Sequence, residues 1–145
     1  MAKSTKNKLT ITEPIIISFP DAAAPHAAAF KGSKNVHKKG HIWLTNYGTG
    51  SVELTFDLLA GGDYTFQTNP AHDGTSAIFI NTDPNQVNGF KPPVGAFSNP
   101  QLSNNNQSLT ITVHSIDAVK YFYILNIQYK GGPSFPISDP IIVNR

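Results

Sequence analysis

The polar and apolar positions of this chain alternate in short runs and show no helical spacing. In "SVELTFDLL", Val52, Leu54, Phe56 and Leu58 alternate with Ser51, Glu53, Thr55 and Asp57, which predicts a strand with one face in a core and the other in water. "SLTITVHS" repeats the pattern, with Leu109, Ile111 and Val113 inward and Thr110, Thr112 and His114 outward. "HIWLTNYGTG" reads as a strand closed by a Tyr-Gly-Thr-Gly turn, so that residues 41–59 would form a hairpin. "YTFQT" and "SAIFIN" are shorter strands flanked by the turn-rich "AGGD" and "NPAHDG". "AVKYFYILNIQYKGG" has the character of a central strand: Tyr121, Tyr123, Leu125, Ile127 and Tyr129 share one face, and Phe122 and Ile124 make the second face half apolar as well. The alanine-rich "DAAAPHAAAF" is interrupted by Pro25 and predicts at most a helical turn. From Asp83 to Gln107 the chain is rich in Pro, Gly and Asn and reads as a long loop, with one short strand expected near Lys91 to Phe97.

This pattern predicts an all-β fold, an immunoglobulin-like antiparallel β-sandwich of about seven to nine strands. The length of 145 residues suits one domain, taken as residues 9–145 behind a flexible basic tail at 1–8. Two segments repeat a motif: "TEPIII" opens the first apolar run and "SDPIIVNR" the last. Proline fixes φ near the strand value, lacks an N–H and pushes the residue before it into an extended conformation, so Pro14 and Pro140 read as strand starters. The first and last strands are expected near one another, and "PIIVNR" is expected to form an exposed edge that could accept another strand. The pairing of these motifs, with "YFYILNIQYKG" before the second, resembles a small bacterial family named for its Asp-Pro and Glu-Pro motifs. That resemblance spans nearly the whole chain and implies an immunoglobulin-like sandwich, without implying an activity or a catalytic residue.

Composition narrows the chemistry. The chain has no cysteine, which excludes disulfides, thiolate metal sites and a cysteine nucleophile. No apolar run reaches the roughly 18 residues of a membrane helix, and the basic start "MAKSTKNKLTITEP" has no signal-peptide core, so a soluble cytoplasmic protein is expected. Seven lysines (3, 6, 8, 31, 34, 38 and 39) stand against Glu13 and Asp21 in the first 41 residues, a polarity that can steer an anion but reads more simply as a solvated tail and a lysine-rich loop.

The densest set of coordinating groups is "KNVHKKGHIW", where His37, His41, Lys38 and Lys39 suggest an anion or metal site. Gly40 and the strand that follows argue against a helical zinc motif, and a surface loop with incidental histidines is the simpler account, so no metal or other cofactor is assigned. Nucleic acid is not expected as a partner, because the alternating tyrosines of residues 121–129 read as core and only Lys91, Lys120, Lys130 and Arg145 are basic beyond His41. His72, Asp73 and Ser76 lie close together in a Gly-containing turn that does not supply triad geometry, and Glu53 and Asp57 read as solubilising groups, so no enzyme is expected. Carbohydrate recognition combines aromatic planes with amide and carboxylate hydrogen bonds. Asp83, Asn85, Asn88, Asn104 and Asn105, with Phe90 and Phe97, offer such groups in the long loop, although asparagine also serves loops for backbone reasons. The function expected is that of a non-enzymatic interaction or assembly module with a protein partner or a second copy, the alternative being a lectin-like module using the loop 83–107.

Overall fold

The computed structural model describes residues 14–19, 28–32, 36–37, 39–44, 51–58, 63–68, 73–114, 119–137 and 141–144. Among these residues, eleven strands lie in two sheets: β1 (Ile15–Ser18), β2 (Ala29–Lys31), β3 (Ile42–Leu44), β4 (Ser51–Leu58), β5 (Tyr64–Phe66), β6 (Ile78–Asn81), β7 (Gln101–Ser103), β8 (Ser108–His114), β9 (Val119–Tyr129), β10 (Ser134–Ile137) and β11 (Ile141–Asn144). The first sheet has the order β2-β1-β4-β8-β7. The second is built on β9, whose length lets each side hold two short strands end to end. β5 and β6 line one side, and β10 and β11 the other, with β3 beyond β11. Because two short strands share each side of β9, the eleven strands occupy nine lateral positions.

The alternations at 51–58 and 108–114 place Val52, Leu54, Phe56, Leu58, Leu109, Ile111 and Val113 in the core, opposite Tyr121, Tyr123, Leu125 and Ile127 of β9. Phe56 and Tyr123, from opposite sheets, meet with ring centroids 5.8 Å apart. This is the layered all-β architecture that the pattern predicts.

Three local expectations are corrected. Residues 41–59 do not form a hairpin: β3 joins the second sheet and β4 the first, so the chain crosses between layers. The expected strand near Lys91 to Phe97 lies further on, at Gln101–Ser103. From Phe97, which bridges to Val113, the segment runs antiparallel along the edge of β8 as far as Ser103. Near the buried Pro100 the register slips by one residue, as at a β-bulge, and Ser98 Oγ accepts the Thr112 N–H. The terminal strand is no edge, because β11 pairs with β9 on one side and β3 on the other.

β1 and β11, the strands that follow the two acid-Pro motifs, lie in different sheets and do not pair. They occupy matching positions in their own layers. Each has an antiparallel neighbour on one side and a parallel one on the other: β1 with β2 and β4, β11 with β9 and β3. Ile15, Ile17 and Ile142 are fully buried in the shared core. Pro14 immediately precedes β1, while Pro140 lies outside the described residues.

Candidate functional site

The His37–His41 segment is a tight hairpin. Val36 and Ile42 form an antiparallel bridge, the His37 N–H donates to the His41 carbonyl at 2.7 Å, and the Gly40 N–H donates to the His37 carbonyl at 2.8 Å. Directly opposed residues of an antiparallel pair project to one side. With Val36 packed on the core and Ile42 buried, the two imidazoles take the other side, with ring centroids 5.9 Å apart. Gly40 has φ 93°, a conformation that other residues reach only with strain. Its carbonyl accepts a hydrogen bond from the Tyr123 phenol, which ties the turn to the centre of β9. Burial pushes the Tyr123 pKa well above the usual tyrosine value and keeps the phenol a donor. Lys39 is exposed, and Lys38 lies outside the described residues.

The long segment divides its candidate groups between two ends of the sandwich. Asp83, Asn85 and Asn88 build a chain of local turns. Asn81 Oδ1 accepts the Asp83 N–H at 3.1 Å, Asp83 Oδ1 accepts the Asn85 N–H at 2.9 Å, and Asn88 Oδ1 accepts from Lys91 Nζ at 2.9 Å. Phe90 bridges to Ile80, and Phe97 meets Tyr121 edge-on at 4.9 Å; both rings pack against the core. Asn104 and Asn105 sit at the other end of β8. Asn104 Nδ2 donates to Ser108 Oγ at 2.9 Å, and the Ser108 hydroxyl donates to Asp57 Oδ1. The five-residue separation of Ser108 from Val113 along the strand puts these asparagines about 17 Å from Phe97. Asn104, Asn105 and Asn106 have φ of 53°, 57° and 65°, a short left-handed turn in which asparagine is among the best-tolerated non-glycine residues. The geometry gives each of these residues a structural use and does not gather them into one surface.

Hydrolytic arrangements fare similarly. Asp73 caps a 3-10 turn at Gly74–Ser76, its Oδ1 accepting from Thr75 N at 3.0 Å and Thr75 Oγ1 at 2.7 Å, while the Ser76 carbonyl accepts from Asn126. His72 lies outside the described residues. Ser51 Oγ and His114 Nδ1 are 2.8 Å apart, but as a cross-strand pair on the open face of the first sheet, beside Glu53, Thr110 and Thr112. Among the described residues no group of three or more metal-ligating side chains occurs, and no helix is long and apolar enough to cross a membrane.

The outward faces of the two sheets differ. The first presents Glu53, Thr55, Asp57, Thr110, Thr112 and His114. The second presents Phe122 and Ile124 on β9, with Phe79 of β6 in register with Ile124, and Trp43 of β3, which is 42% exposed. These side chains span three strand spacings, about 14 Å. The half-apolar second face of residues 119–129 was the one sequence signal for this surface. Trp43 has no such signal, because three residues of β3 are too few to reveal a period.

Three of the free edges, those of β2, β10 and β7, are guarded among the described residues. Lys31 lies in the outermost strand of the first sheet, Pro136 in β10, and Gln101 of β7 is bridged by Asp73. Proline cannot donate to an added strand, and lysine opposes one.

No protein-family model matches this chain, and no curated protein is significantly similar to it.

Proposed function

We propose that the protein is a non-enzymatic β-sandwich interaction module that meets a protein partner, a second copy of itself being the first candidate, through the outer face of the second sheet. The observation that carries the reading is the group Trp43, Phe79, Phe122 and Ile124, with the exposed Lys120 over the Phe122 ring, set against the Thr- and acid-rich outer face of the other sheet. Aromatic residues are enriched at protein interfaces and supply most of the energy where they are desolvated. Face-to-face docking is favoured over strand addition, because β11 is interior and the edges of β2, β7 and β10 are guarded.

The test is the solution mass by light scattering behind a sizing column over a range of loading concentrations, with wild type beside a Trp43→Ser/Phe79→Thr variant. A multiple of 15.7 kDa that persists on dilution and falls to one chain in the variant is expected. A wild type that stays monomeric at every concentration refutes self-assembly. Saturable glycan binding lost on replacing Asn88 or Asn105 would favour the lectin-like alternative instead.

A further inference from the structure

We infer that the His37–His41 hairpin is an open, two-imidazole chelate for a late first-row divalent cation such as Cu(II) or Zn(II). The backbone register sets both rings on one side of the hairpin. With metal–nitrogen bonds of about 2.0–2.1 Å, two imidazoles on one ion have centroids about 4.5–6.5 Å apart, depending on the coordination angle. The 5.9 Å observed lies inside that range, so small ring rotations bring one nitrogen of each onto a common ion.

The pair is held before any ion arrives. Two backbone hydrogen bonds close the turn, Gly40 supplies its left-handed residue, and the Tyr123 phenol fastens the Gly40 carbonyl to the core. Tyr123 is therefore a positioning residue for this site. The contact from Lys39 N to His37 Nδ1, at 3.4 Å, is long enough to yield to a metal bond. With no third ligating side chain beside the pair among the described residues, water completes the coordination sphere. The exposed ammonium of Lys39 lowers the affinity without blocking it, since charge in water is screened over about 8 Å. His41, just before β3, and Trp43 within it are two residues apart, which sets the only tryptophan of the chain about 7 Å from His41 along the strand.

The experiment titrates the full chain with Cu(II) and with Zn(II) in a non-chelating buffer, read by calorimetry and by Trp43 fluorescence. Wild type, His37→Ala, His41→Ala, His114→Ala, Lys39→Ala and Tyr123→Phe are compared, with melting temperatures confirming that each is folded. Expected are one ion per chain, Cu(II) tighter than Zn(II), and quenching of Trp43 by Cu(II). Each hairpin-histidine variant is expected to weaken binding about tenfold or more, His114→Ala to match wild type, Lys39→Ala to bind more tightly, and Tyr123→Phe to bind more weakly while retaining both ligands. Absence of a one-to-one complex in wild type, or hairpin-histidine variants that bind as wild type does, overturns the assignment.

Discussion

Replacing Tyr123 by phenylalanine removes one oxygen and leaves the ring that packs against Phe56 in place. At neutral pH it withdraws the hydrogen-bond donor from the carbonyl of Gly40, a buried residue in a tight turn. Leaving such a group unsatisfied costs about 1–3 kcal/mol. For a domain near 150 residues that corresponds to a fall in melting temperature of roughly 3–10 °C. A second and sharper signature appears in alkali. The phenol is protonated in the fold, where burial raises its pKa, and titrates near its ordinary value of about 10 once the chain unfolds. A group whose pKa is raised on folding contributes its stability below the unfolded pKa, and that contribution is lost as pH rises above it. Wild type should therefore lose about 1.4 kcal/mol for each pH unit above about 10 through Tyr123 alone. The variant has no phenol there and is otherwise the same chain, so the difference between the two proteins isolates this one group. Urea unfolding of both between pH 7 and 11.5 should show wild type ahead by 1–3 kcal/mol at neutral pH and the gap closing steadily from about pH 10. A gap that stays constant to pH 11.5 would mean that Tyr123 ionises in the fold as readily as in the unfolded chain, and the reasoning would fail.

Substitutions at three further positions probe the frame around the candidate sites. Gly74→Ala would set a Cβ 2.4 Å from Leu109 Cδ1 and 2.7 Å from Pro100 Cβ, and the overpacking is expected to cost about 1–3 kcal/mol in urea unfolding. At Asn105, with φ 57° and an exposed side chain, glycine should be neutral or slightly stabilising and valine should cost about 1–2 kcal/mol; equal melting temperatures for the two variants would contradict the left-handed turn. Phe56→Ala removes a fully buried ring between the sheets and should lower stability by about 3–5 kcal/mol, enough to broaden or abolish the cooperative unfolding transition.

Much of this molecule was legible in its sequence, because strand burial is a local property with a period of two. The alternations at Ser51–Leu58 and Ser108–His114 identify which side chains enter a core whatever the partner strand, and those residues are the core. The acid-Pro motifs mark strand starts for an equally local reason, the fixed φ of proline. Pairing is not local. A β-strand carries the same backbone donors and acceptors everywhere, so nothing between residues 42 and 58 announces that β3 and β4 belong to different sheets, or that β11 is enclosed by β9 and β3. The stretch from Phe97 to Ser103 becomes an edge of the first sheet only because β8 offers it an unpaired side. The candidate sites depend on such choices even more. His37 and His41 meet because a hairpin closes between them, under a carbonyl held by a tyrosine more than eighty residues away. Asn88 and Asn105 share one loop in sequence and are parted because that loop follows the length of a strand. Composition and periodicity say what each residue can do; which residues act together is decided by the tertiary structure, since hydrogen bonding and burial reward contacts without regard to their separation along the chain.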